Sequence, residues 1–521
     1  MSQSPALFYN TLSPTIIGNK IRSSKKGVCI LVYIDTLREN PFFIRMDGGK
    51  MFSKLWDWLK PAVGFLVIAS VLAACTPPAA SALETPVSPA ASPTAKACND
   101  PGGMVTIKVH DWSTADRRQY WDQVIQAFSQ AHPCIQVETI NLPEDRAVRL
   151  KELAEGTAPD LVGFDSSDLP LVARQGYLLD LTSVMAKDHF NPEEAFYDSV
   201  YKTGFVDGKP VGIAKDYSVS AFYVNTDMLK KAGLALPKEG WTYDDYLKMA
   251  QKLTLDNAGN NATSPEFNPN KVTVWGTLLG EWVSDSGWWR GYQSFLYSWG
   301  AHTISPDGKT TTGYLNSDKA VEAWTWYRDL IHKYHVSPTV SYLNDSGVSN
   351  DKLFSQGKIA IAGNFWGPWY QDTFNQVKGL NWTVVPLPTG PGGHHAAIMW
   401  MGWGINAKSK HPDQAWQLLK WLTTDPGQTV FALKALTGDK SVAKTLQLDT
   451  DPFWGVFLRE VPYQDNLDDM TTPFYTTCVD IPAGKLLGKM FQDTAPLMNI
   501  KSELDKLAAS ADKCLAESKI Q

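Results

Sequence analysis

The chain has 521 residues, 48 Lys and Arg against 54 Asp and Glu and a formal net charge of -6, which argues against a nucleic-acid binder, whose domains are usually basic. At roughly 100 to 200 residues per domain the length calls for two domains or more. The 20 tryptophans are a heavy load of flat rings with one polar edge, and such rings stack well on the apolar face of a sugar, so a small neutral ligand stays open.

In chain order the first informative stretch is an apolar run over residues 61–72, preceded by Lys54 and Lys60 and followed by Ala73-Ala74-Cys75 and Thr76-Pro77-Pro78. It is shorter than the roughly 20 residues that span a bilayer and suits the apolar region of a signal peptide. With its small residues before the cysteine, the segment resembles the lipobox of bacterial lipoproteins. The resemblance implies a signal peptide over 51–74, cleavage before Cys75, a lipid on its thiol, and a protein anchored to the outer face of the cytoplasmic membrane. Such a signal starts near its basic end, so Met46 or Met51 is the natural start and residues 1–50 are expected to be an over-extension. Residues 75–103 are expected to form a flexible tether, since Pro, Ala, Ser and Thr bury no core.

With Cys29 in the leader and Cys75 lipidated, Cys98, Cys134, Cys478 and Cys514 remain, enough for two disulfides in three possible pairings. Sequence alone selects none of the three. If the strands that follow Cys98 and Cys134 are parallel neighbours, those thiols share an edge, which favours Cys98 with Cys134 and, by remainder, Cys478 with Cys514. No His/Cys cluster has zinc spacing, and neither metal nor cofactor is expected.

Residues 105–109 alternate as a strand. Residues 117–131 place Tyr120, Val124, Ile125 and Phe128 at helical spacing until His132-Pro133 stops them, and a second strand follows at 135–140. Strand, helix, strand with short connections predicts a parallel sheet flanked by helices. A helix over 148–155 and a strand over 160–164 continue the pattern, ending in Asp165-Ser166-Ser167-Asp168. Beyond a turn at 207–210, a strand is expected over 219–224 and a helix over 226–232. Thr242 with Asp245 is a variant capping box opening the next helix. A loop over 254–264, a strand over 272–279 and amphipathic helices over 318–334 and 409–422 complete the reading. The fold class is α/β.

Four stretches then stand out, in order. They are Gly156-Thr-Ala-Pro-Asp160 with Gly176-Tyr-Leu-Leu-Asp180; Asp207-Gly-Lys-Pro-Val-Gly-Ile213 with Ala221-Phe-Tyr-Val-Asn225, Ala232-Gly233, Pro237 and Trp241-Thr242; Phe354-Ser-Gln-Gly-Lys-Ile-Ala360; and Gly402-Trp-Gly-Ile-Asn406 with His411-Pro-Asp-Gln-Ala415. In this order they resemble the extracellular solute-binding proteins of ABC importers, sugar-binding branch; the chain departs from that family's pattern at Val211 and at Tyr223-Val-Asn225, strand positions that bear on specificity rather than fold. The resemblance implies two α/β lobes, each a mainly parallel sheet flanked by helices and joined by hinge strands, with lobe 1 over 104–214 plus about 390–436 and lobe 2 over 215–389 plus about 437–521. It also implies a monomer that closes over a sugar or oligosaccharide and hands it to membrane permease subunits without chemistry.

Ligands of open α/β sheets bind beyond the carboxyl ends of strands. That nominates Trp112, Asp165 and Ser167, and the stretch Lys215, Asp216 and Tyr217, the carboxylates for accepting from sugar hydroxyls and the rings for stacking. The resemblance adds Trp366, with Trp369 as fallback. Trp282 and Trp288, in a polar and aromatic stretch, and Trp400, just before a presumed strand, complete the candidates. The rival reading is a lipid-anchored glycosidase, which needs two carboxyl groups roughly 5 Å or 6.5–9.5 Å apart. Only Glu281 and Asp285 offer such a pair, at a spacing that usually marks a solvated helix face. A peptide-binding or adhesive lipoprotein fits the anchor but leaves the aromatic load unexplained.

Overall fold

The computed structural model describes residue 98 and residues 103–518, except 114–116, 144, 166–167, 279–289, 364–366, 397, 433–434, 464–467 and 494–497. Cys75, Ser167, Trp282, Trp288, Trp366 and the Glu281/Asp285 pair lie outside the described residues, as do the signal and residues 1–50. Among the described residues no helix is long and apolar enough to cross a membrane.

Strands β1 (Val105–Asp111) and β2 (Ile135–Asn141) pair in parallel along their full length, and β3 (Leu161–Asp165) joins β1 on its other side. The helix Arg118–Ala131 buries Trp121, Val124 and Phe128 against this sheet. The buried stripe keeps the expected period but starts at Trp121, leaving Tyr120 at the rim. The helix Arg146–Glu155 starts two residues before the expected point because the Asp145 carboxylate caps the Ala147 N–H, and it stops at Gly156 with φ 72°, a left-handed conformation that suits glycine. A hairpin of β4 (Phe205–Val206) and β5 (Lys209–Pro210) then turns on Asp207 and Gly208, both at positive φ as a two-residue hairpin turn favours.

The strand expected over 219–224 is two strands. β6 (Ile213–Val219) belongs to the first sheet and β7 (Phe222–Asn225) to the second. The chain therefore passes between lobes at Ser220 and Ala221, and the boundary expected at 214/215 falls inside β6. In the second sheet β8 (Leu255–Asp256), β9 (Val272–Leu278), β10 (Ile359–Gly363) and β11 (Trp382–Val385) join β7 in the order β11-β7-β10-β9-β8. There β9 and β10 pair in parallel and the other three ladders are antiparallel, so this sheet is mainly antiparallel; the first sheet divides evenly, two parallel ladders and two antiparallel, once the return strand is counted, and neither is the mainly parallel sheet expected. All five residues of β10 are buried, as in a strand covered on both faces. The capping box forms as read, the Thr242 hydroxyl accepting from Asp245 N and the Asp245 carboxylate from Thr242 N.

The return strand β12 (Ile398–Ile405) inserts between β3 and β6, antiparallel to both, giving the first sheet the order β2-β1-β3-β12-β6. The helices Pro412–Thr423 and Gly427–Phe431 follow. Residues 438–440 still hold to the first lobe, since Tyr197 N donates to Gly438 O and Lys440 Nζ to Glu193 O. The chain reaches the second sheet only at Phe453, packed against Tyr223 and Trp382, so the second boundary falls later than 436/437. Cys98 is disulfide-bonded to Cys134 at the start of β2, and Cys478 to Cys514 on the helix Ile500–Glu517.

Candidate functional site

The first half of the site is a row across the first sheet. Met401 of β12 stands opposite Asp165 of β3 on one side and Asp216 of β6 on the other. Directly opposed residues project from the same face, so two carboxylates share one row, their backbones two strand spacings or about 10 Å apart.

Beside this row the ladder is irregular. Met401 pairs with Asp216 but Gly402 pairs with Ala214, which leaves Lys215 as the extra residue of a β-bulge. A bulge re-aims side chains, and here Lys215 Nζ comes 3.4 Å from Asp216 Oδ2. The Lys215 carbonyl takes a hydrogen bond from Gln428 Nε2 at 2.8 Å. The ammonium lies 5.0 Å from the centre of the Trp112 ring and 5.2 Å from that of Phe431, with only 5% of the residue exposed. Aromatic faces offset part of the cost of taking it out of water.

Trp112, directly after β1, is half-buried, with its ring centre 4.9 Å from that of Trp403. It lies over Gly163 of β3, where a Cβ would stand 2.7 Å from the ring, so a side chain at that position would push the indole away. Trp403 is fully buried and its Nε1 donates to His110 O at 2.7 Å. The turn after β1 is fixed by Asp111, which accepts from Ser113 N and Oγ and pairs with Arg118 at 2.7 Å. Ser113, Arg117, Tyr120, Lys215, Asp216 and Phe431 surround a recess of about 20 Å³.

Two expected ligand residues lie elsewhere. Tyr217 and Trp400 are each 1% exposed, opposite one another in the β6–β12 ladder, and the Trp400 ring sets its edge on Phe164. Tyr217 follows Asp216 on the strand and so turns to the other face, into the core; burial pushes its hydroxyl well above the ordinary tyrosine range. Asp168, from the polar stretch after β3, is a buried partner of Arg146 and Arg149. Behind the site, buried His110 accepts from Gly163 N through Nδ1, and burial, aided by the Arg149 charge, pulls its pKa down to about 4.

The structure thus brings Trp112, Asp165 and Asp216 to one end of one sheet, with Lys215 linking the ring to the second carboxylate. Arg117 and Phe431 were absent from the sequence-based candidates, and Lys215 stood among them only as part of the stretch Lys215-Asp216-Tyr217, without a role of its own. Nothing in the local sequence marks a bulge, so no signal there distinguishes Lys215 from any strand lysine.

The second lobe carries a larger concavity of its own. Thr277, near the end of β9, donates its N–H to Val336 O, and Tyr370 follows β10; the segments attached at these points wall a cavity of about 360 Å³. Ile331, Leu343, Tyr370 and Phe491 supply apolar cover, and Asn344 and Asp351 supply polar groups. None of these residues was among the expected ones. They come from four separate stretches of chain.

Residues 111–429, more than half of the chain, fit the family described as bacterial extracellular solute-binding protein. The chain belongs to that family. A binding protein of Brucella abortus strain 2308 is 25% identical to this solute-binding protein over 332 residues, 61% of this chain and 72% of the relative. The sugar-binding protein MalE of Xanthomonas citri superposes with a TM-score of 0.66 at 19% identity, over 79% of this chain and 98% of that one. An ABC substrate-binding protein of Listeria monocytogenes, solved with cycloalternan, gives 0.64 at 20% identity over 80% and 100%. At such identities the superpositions establish the fold, that of the MalE-like periplasmic binding proteins.

Proposed function

We propose that this solute-binding protein captures a sugar or short oligosaccharide between its lobes, leaves it chemically intact, and delivers it to the permease of an ABC importer. The observation that carries this reading is the row of Asp165 and Asp216 on one face of the first sheet, with Lys215 and the Trp112 ring beside it. Carboxylates accept from hydroxyls, the ammonium donates to them, and aromatic and apolar walls cover the ring faces. The sugar carried by the Listeria neighbour and the sugar-binding description of the Xanthomonas one support the same ligand class.

Capture works as a population shift, ligand favouring the closed arrangement of the lobes. Two passages are candidates for the bending. One is the two-residue link between β6 and β7. The other, between β11 and β12, is held by buried Glu460, which accepts from Leu387 N at 3.0 Å and meets His394 Nε2 at 2.6 Å. Lipidation at Cys75 with a Pro-rich tether would keep the receptor beside its transporter; a Cys75→Ser chain should incorporate no labelled fatty acid and leave the membrane fraction.

The decisive experiment adds a panel of sugars to the purified protein and follows both melting and the chemical state of the sugar. A ligand that binds only the native state raises its stability. At least one sugar should raise the melting point and be recovered unchanged. A panel without any shift would overturn the sugar reading, and accumulating hydrolysis products would favour a glycosidase.

A further inference from the structure

We propose that Lys215 and Asp216 act as one donor and acceptor pair that grips two adjacent hydroxyls of a neutral sugar, with Lys215 as the specificity-determining residue. This rests on the sugar reading above. The ammonium carries three N–H donors and the ring faces of Trp112 and Phe431 take none of them in a hydrogen bond. Asp216, at 3.4 Å, has room for one, and the recess lies against both residues. A sugar hydroxyl both donates and accepts. One hydroxyl can donate to Asp216 while its neighbour accepts from Lys215, so each group satisfies what the other lacks.

Charge around the recess favours a neutral ligand. Lys215 and Asp216 offset each other, and Arg118 is taken by Asp111. An anion entering here would meet Asp216, with Asp165 on the same row. A cation would meet Lys215 and Arg117.

A purely structural role explains the arrangement less well. Removing an ammonium from water is costly, and an apolar side chain of similar volume usually fills such a place with equal or better stability. The chain instead interrupts its ladder with a bulge, engages the buried Lys215 carbonyl with Gln428, and thereby turns the lysine toward the acid at the recess. Bulges concentrate next to functional sites because they re-aim side chains.

The test is calorimetric titration of the full chain with D-glucose, D-galactose, maltose and D-glucuronate, and with deoxy analogues of whichever neutral sugar binds. Lys215→Met keeps the bulk of the side chain and removes its charge. It should melt close to the parent yet bind the neutral sugar about 10- to 100-fold more weakly, the span expected for one hydrogen bond to a charged group. Asp216→Asn should do the same, and the double variant should lose little more than the worse single one. A deoxy analogue lacking the gripped hydroxyl should bind parent and Lys215→Met alike. If Lys215→Met melts far lower, Lys215→Gln, which keeps a donor, takes its place and should recover affinity for the hydroxylated sugar only. Failure of the parent to bind any sugar would sink the sugar reading itself. Equal binding by parent and Lys215→Met would overturn this inference alone, as would a preference for glucuronate over glucose that vanishes in Lys215→Met.

Discussion

The concavities of the two lobes are built differently. In the first lobe the strand ends carry charge, each group is held by a neighbour, and the recess is about 20 Å³. In the second lobe the cavity is about 360 Å³, with mostly neutral and apolar walls. Under the proposed function the contrast would divide the duties: directed hydrogen bonds from fixed positions in the first lobe, room and cover in the second. Direction needs preorganised strands, whereas cover tolerates helices and loops.

The largest effect should come from removing the packing that fixes the first half. Trp403→Ala empties a fully buried site between Trp112 and Trp121 and should cost about 4 kcal/mol of stability by denaturant unfolding. Retained sugar binding in a folded Trp403→Ala protein would break the claim that direction depends on this packing. Next in size, Cys478→Ser opens the disulfide that closes a 36-residue separation in the second lobe, with an expected loss of about 3 to 4 kcal/mol. Affinity per folded molecule should stay within a few-fold, because cover is less exacting than direction.

A smaller effect concerns acid. His110 is neutral in the folded state, with a pKa near 4 against an ordinary value of 6.5. The unfolded chain therefore binds the extra proton first as pH falls, and stability should drop by about 2 kcal/mol between pH 6.5 and pH 4. Glu152, whose carboxyl burial pushes upward, takes up a proton in the folded state and offsets part of that loss. His110→Asn, which offers an oxygen to the Gly163 N–H, should flatten the melting-point profile over that range; an unchanged slope would show that other groups carry it. The smallest effect is expected from Asn344→Ala in the second-lobe cavity, about 3- to 10-fold in sugar affinity by calorimetry, the worth of one neutral hydrogen bond. A loss as large as that of Asp216→Asn would erase the division between the halves.

Much of the frame is legible in the sequence. Period two over 105–109, period three to four from Val124 to Phe128, Thr242 with Asp245 and the Asp-Gly turn are local signals, and local backbone chemistry decides them. The passage at Ser220 and Ala221 was not legible, because residues on either side are equally apolar and a strand that changes sheets keeps its pattern. Asp165 and Asp216 could be nominated singly, but their shared row depends on Met401, distant in the chain. Composition also misled at Tyr217 and Trp400, since an aromatic residue reads the same whether it faces ligand or core. The second-lobe cavity left no trace because its walls meet only in the folded chain.

The place of β12 in the first sheet has a consequence for how the molecule comes into being. β3 and β6 meet only through this strand, which follows the entire second sheet in the chain. A polypeptide emerging amino end first must therefore hold β6 without its sheet partner until residues 398–405 arrive. Contacts so distant in sequence form late and slowly. The carboxylate row is among the last features the growing chain can complete, so a molecule cut short before residue 398 has both acids and no way to align them.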